Sequence, residues 1–298
     1  MYKPLLSLLV AFAGYSLLNI SQAGQKIGLE LFRTRKLAGA VLWLAATLGT
    51  SGAAFVNLYA LSVGSVSLVG AMAGSGLASL ALFSWLVMKE PISSRELVGI
   101  GVIFAAAVLM GAFGGPRFVE APRIRILYLL LGSLALLYTI LWILLRDRGP
   151  AIATVIAAFS GTLGGFVALF QKVSTTEHGR SLSLARRVES SRAGFIALEE
   201  TLSNPFALAW IALSVLSMLV IQFAYRHGKA IRIIPAFSAS FIVIPIVGGM
   251  LVFGETLRPL QWLGVASIIA GVLLLTLKAP EETPGGEAVG RPPRAGRR

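Results

Sequence analysis

The sequence predicts an all-α integral membrane fold, with nine transmembrane helices set as two inverted four-helix repeats joined by one connector helix. Three observations predict it. Of 298 residues, 56% are hydrophobic and 13% charged, against about 25% charged in a soluble globule, so the chain must place its surface in lipid. Nine apolar segments approach the roughly 20 residues needed to cross a hydrocarbon core of about 30 Å. Finally, KEPIS around Glu90 and GETL around Glu255 stand 165 positions apart. Each closes one apolar segment and opens the next, and Gly99 and Gly264 follow at matching distance.

The elements follow in order. Residues 5–29 are too long for a signal-peptide core and lack a cleavage pattern, so they read as a mature helix. Segments 37–61, 65–88 and 97–114 complete a first repeat over 1–114. Segment 124–145 is the connector, within 115–149. Segments 150–171, 206–225, 230–254 and 259–278 form a second repeat over 150–278. No water reaches the bilayer core to satisfy a backbone, so all nine must be helical. At the front of each repeat Gln25-Lys26 meets Gln171-Lys172 at an offset of 146, and the difference from 165 falls in the polar stretch 173–204 as a loop insertion. Part of that stretch fits an interfacial amphipathic helix or an ordinary solvated loop. An odd number of crossings before the second repeat inverts it relative to the first. Such repeats are the ground plan of secondary transporters, with the solute site between the halves.

The net charge of +13 sits at helix ends and in the tail, where it orients the chain and meets anionic headgroups rather than nucleic acid. Sixteen of the 26 Lys and Arg fall on one side, which puts the N-terminus outside and the C-terminus in the cytoplasm of a multi-pass cell-membrane protein. The Pro- and Gly-rich end, 279–298, is expected to be a disordered cytoplasmic tail. The absence of cysteine excludes disulfides, thiolate metal sites and cysteine nucleophiles. His178 and His227 both fall at loops, and no His, Ser or carboxylate cluster suggests catalysis. No enzyme and no cofactor is expected.

Candidate functional residues are mostly neutral. Asn19, Gln22, Asn57, Gln222 and Tyr225 could line a path. Gln222 lies 16 residues into its helix, about 24 Å deep, where an amide needs another helix or a solute as partner. The third helix carries Gly70, Gly74 and Gly76 and its counterpart carries Pro235 and Pro245. Interruptions at corresponding depth point to a midplane site, although close helix packing explains small residues equally well. Ser238 joins this substrate-binding set. Lys26 and Lys172 read either as snorkelling anchors or as electrostatic gates for an anionic solute. Glu90 and Glu255, the repeat motif, read as boundary carboxylates that complement the dipole of the helix that follows each. No Asp or Glu lies inside a span, which argues against a carboxylate-driven proton antiporter.

The two Glu turns, their Gly-centred helices and the duplication resemble the drug/metabolite transporter superfamily, EamA-like, over residues 5 to 278. Within it, the four-one-four count resembles the NIPA-type magnesium transporters. GTSGAAFVNLYALSVGSVSLVG resembles their second-to-third passage and IQFAYRHGKAIRIIP their seventh-to-eighth, with Gln222, Tyr225 and Pro235 in matching places. Two departures stand out: Ser51-Gly52-Ala53-Ala54 where that family usually has a Gly-Glu pair, and Gly70-Ala71 in place of a proline. The expected function is a secondary transporter that moves a small polar solute by alternating access. Magnesium is the alternative that the resemblance implies, with no metal-ligand set assigned, and a non-transporting assembly partner is the alternative from another class. A path without carboxylates favours an organic metabolite over a bare divalent cation. The expected partners are that cargo and the lipid bilayer, with a homodimer left open and no nucleic acid.

Overall fold

The computed structural model describes residues 4–32, 34–86, 92–112, 121–146, 149–176, 203–227 and 230–276. They form α1 (Pro4–Phe32), α2 (Lys36–Val63), α3 (Val66–Ala71), α4 (Ala73–Leu86), α5 (Ser94–Ala112), α6 (Ile124–Leu145), α7 (Gly149–Thr176), α8 (Pro205–His227), α9 (Ala230–Phe253) and α10 (Pro259–Thr276). Among the described residues seven stretches are long and apolar enough to cross a membrane, and α10 is apolar but shorter. The amphipathic-helix reading of 175–204 and the tail 279–298 lie almost wholly outside the described residues. The insertion starts later than position 173, because α7 remains helical to Thr176.

Lipid offers no hydrophobic force between helices, so close approach of small residues must hold them together. α1 and α2 form such a seam. Ser7, Gly14, Ser21 and Gly28 recur every seven residues on α1, and Gly39, Ala46, Ala53 and Ala60 do so on α2, all of them buried. A seven-residue repeat keeps one stripe facing its partner along a left-handed crossing. A side chain at Gly28 would run into the backbone of Trp43, and one at Gly39 into that of Phe32. Gln25 adds a polar tie, donating Nε2 to the Thr47 and Thr50 hydroxyls at 3.2 and 3.3 Å. α7 and α8 pack equivalently around a reciprocal pair: Ser160 Oγ donates to the Ser217 carbonyl at 2.7 Å and Ser217 Oγ to the Ser160 carbonyl at 2.9 Å.

Helices from the two ends of the chain meet: α3 packs on α9. α5 packs on α10, and the contacts exchange under the 165-residue offset. Gly99 faces Gly271 and Leu275, while Gly264 faces Ala106 and Met110. The same offset relates the helix starts. Glu96 Oε2 accepts from the Ser93 N–H at 2.7 Å, and Gln261 Oε1 accepts from the Arg258 N–H at 2.9 Å. In both, a side chain three residues into the helix satisfies a donor that would otherwise be orphaned.

α3 and α4 are separated only at Met72, whose backbone stays in the right-handed helical region (φ −65°, ψ −9°), so the stretch carrying Gly70, Gly74 and Gly76 runs on as helix. This departs from the expected interruption, and so does its counterpart. Pro235 and Pro245 both lie within an α9 that stays helical from Ala230 to Phe253. Proline removes one helical hydrogen bond, yet neighbouring helices tolerate that inside a membrane bundle. Gly70 instead receives the Pro245 ring, and Gly74 lies beneath Ile242, Ile268 and Val272.

Candidate functional site

Among the described residues, a buried polar network sits where α2 gives way to α3. α2 ends at Val63, and Gly64 adopts extended backbone. Ser65 then caps α3, its Oγ accepting from the Leu68 N–H at 3.1 Å. The break leaves free carbonyls at the end of one helix and free N–H groups at the start of the next, with partial charges of opposite sign. Two side chains from the second half fill both ends. Lys172 of α7 donates Nζ to the carbonyls of Leu61 and Gly64 at 2.5 and 2.8 Å. Glu255 accepts from the N–H of Val66 at Oε1 (2.8 Å) and of Ser67 at Oε2 (2.9 Å). Glu255 is 2% exposed and Lys172 5%.

Local sequence aims the carboxylate. α9 stops at Gly254, whose φ of 63° lies in the left-handed region that glycine enters without strain. The chain folds back, and the Glu255 N–H donates to the Gly249 carbonyl at 3.0 Å. Gly249 has no side chain because one would collide with Ser67 Oγ and the Glu255 carboxylate. Burial pushes the Glu255 carboxyl above the usual carboxylate range, against the lowering pull of the Ser67 hydroxyl, the two peptide N–H groups and the Lys172 charge.

This corrects two readings. Glu255 caps α3 of the other half rather than the helix that follows it, because the turn at Gly254 points it away from α10. Lys172 is also not at an open mouth; its ammonium is buried against helix-end carbonyls. Glu90 lies outside the described residues, as do the side chains of Lys26, Tyr225 and Pro235.

The remaining candidates divide. Asn57 is 7% exposed. It packs where α1 carries Gly14, and its Oδ1 has no hydrogen-bond partner. A buried acceptor left unpaired costs roughly 1–3 kcal/mol. Beside this seam Asn19 donates Nδ2 to the Tyr15 carbonyl at 2.9 Å and abuts Gly76 of α4. Ser16 and Ser79 join α1 to α4 at 2.7 Å. Asn19 and Asn57 therefore share the region around α1. Gln22 of α1 and Gln222 of α8 are both exposed. Ser238 is buried, next to Phe237, whose carbonyl meets Gly161. Gly74 is a packing glycine under aliphatic side chains. The reading of residues in order missed the pairing of Lys172 and Glu255 with one helix break. Their recurrence at repeat-equivalent positions was the signal available. Among the described residues no cluster of three His, Cys, Asp or Glu could hold a metal ion.

Comparison with known proteins bears on what this arrangement serves. The chain is 30% identical over 301 residues to a protein of Arabidopsis thaliana named probable magnesium transporter NIPA9, a match covering 92% of this chain and 82% of the relative. No family profile and no solved structure matches it.

Proposed function

The chain belongs to the NIPA family of membrane transporters, and from that premise we propose that it carries Mg²⁺ across the cell membrane by alternating access between two inverted four-helix repeats. The similarity to a relative named for magnesium transport, spread over 92% of the chain, carries the proposal. It outweighs the charge argument that favoured an organic solute. Mg²⁺ prefers oxygen ligands and gives up its waters reluctantly, so amide and peptide oxygens can hold a largely hydrated ion without a ring of carboxylates.

Alternating access draws support from the contacts exchanged between α5 and α10, which is what a two-fold relation between the halves produces. In this reading the nine segments all span the membrane, with the N-terminus outside on the basis of charge. Asn57 offers the cargo an oxygen that no protein group claims. Asn19 flanks it, and Ser238 is buried on α9 of the second half.

A second reading is a small polar organic solute, favoured by the neutral amides and hydroxyls of this set. Growth of a bacterium lacking its own magnesium uptake systems separates the two. Rescue at limiting Mg²⁺, lost with Asn57→Ala, supports magnesium. Full membrane expression without rescue returns the organic solute to first place.

A further inference from the structure

The Lys172 ammonium occupies a position made for a small cation. It touches the peptide oxygens of Leu61 and Gly64, at the negative end of α2. The Glu255 carboxylate sits at the other end of the same helix junction, on the N–H groups of Val66 and Ser67 two and three residues past Gly64. Around it, donors and acceptors are already satisfied: Val66 and Ser67 bond the carboxylate, and the Ser67 hydroxyl donates to the Ile246 carbonyl at 3.3 Å. Ends of interrupted helices hold coupling cations in many secondary transporters, through freed carbonyls. Here the freed carbonyls hold an ammonium tethered to α7.

We infer that the carbonyls of Leu61 and Gly64 together with the Glu255 carboxylate form a monovalent-cation site, which the Lys172 ammonium fills in place of a coupling ion. The oxygen set suits a monovalent ion by charge. One carboxylate balances one ammonium, whereas Mg²⁺ would leave a net positive charge in a buried place. Mg²⁺ also demands octahedral coordination at short range, and two helix-end carbonyls with one carboxylate do not supply it. The wild-type carrier therefore needs no Na⁺ or K⁺ at this position, and removing the lysine charge opens the site to one.

The site is tested on stability, so it stands or falls independently of the magnesium proposal on which its place in a transport cycle rests. Purified wild type and Lys172→Met are melted in N-methylglucamine chloride and in increasing NaCl or KCl at constant ionic strength. Wild type is expected to hold a constant Tm. Lys172→Met is expected to rise saturably with Na⁺ or K⁺ by about 3 °C or more, as for a ligand that binds only the folded form. The double variant Lys172→Met/Glu255→Gln, which removes both charges of the junction, is expected to be insensitive to either ion. Recovery of folded Lys172→Met only when Na⁺ or K⁺ is present also supports the site. Equal Tm in all three media, or failure to fold in every one of them, overturns it.

Discussion

Removing the Glu255 carboxylate strips α3 of both its end donors' partners and takes the carboxylate's charge away from the buried Lys172 ammonium. Each lost bond, at 2.8 and 2.9 Å to a charged acceptor, is worth about 1.5–3 kcal/mol. An unpaired buried charge costs about 3–5 kcal/mol, though water reaching the freed pocket relieves part of both. Glu255→Ala is therefore expected to cost about 4 kcal/mol. Lys172→Met, in sodium-free buffer, leaves two carbonyls and one carboxylate without the ammonium but keeps both N–H bonds to Glu255, and is expected to cost about 3 kcal/mol. Once one charge is gone, removing the other costs less, so the double variant Glu255→Ala/Lys172→Met should fall short of the summed single costs by about 2 kcal/mol. Equilibrium unfolding in detergent, following helicity for the four proteins of the cycle, measures this. Single costs that add within about 0.5 kcal/mol would refute the reasoning, since that is the behaviour of sites that do not interact.

Other expectations follow from the same geometry. Gly249→Ala pushes a methyl into Ser67 and the Glu255 carboxylate and should cost about 2 kcal/mol in the same unfolding assay. Gly99→Leu and Gly264→Leu should destabilise to similar extents, about 3 kcal/mol, because they occupy exchanged positions between α5 and α10; Gly101→Leu, which faces open space, should stay within about 0.5 kcal/mol. Asn57→Leu should leave stability unchanged or raise it by about 1 kcal/mol, since it deletes an unpaired acceptor, while transport falls at least tenfold; loss of stability without loss of flux would make Asn57 structural. Single cysteines at Ser93 and Ser181 in this cysteine-free chain should show opposite labelling by an impermeant reagent, with Ser181 reactive on intact cells and Ser93 only after permeabilisation; the reverse pattern would invert the proposed orientation.

Helix positions were legible because hydropathy and lipid thickness fix them together. The connector segment 124–145 coincides with α6, and the remaining segments differ from the helices by a few residues at their ends. The packing seam is also written in the sequence, in the seven-residue spacing of Ser7, Gly14, Ser21 and Gly28, but the spacing alone does not say which helix lies against it. The importance of Glu255 was visible from its duplication; its partner was not. The carboxylate meets Val66 and Ser67 across more than half the chain, and no local periodicity encodes that contact. Gln222 shows the complementary limit: hydropathy gives position along the helix without giving the exposure of the side chain. Gly70 and Gly74 read in the sequence as interruptions, but they admit Pro245, Ile268 and Val272 to a stretch that stays helical.

Flux of Mg²⁺ into proteoliposomes that hold an impermeant magnesium indicator tests the central claim most directly. The account predicts influx that depends on the protein, saturates with external Mg²⁺, proceeds without Na⁺ or K⁺ and drops at least tenfold with Asn57→Leu. Correctly folded, reconstituted protein that passes no more Mg²⁺ than empty liposomes would contradict it.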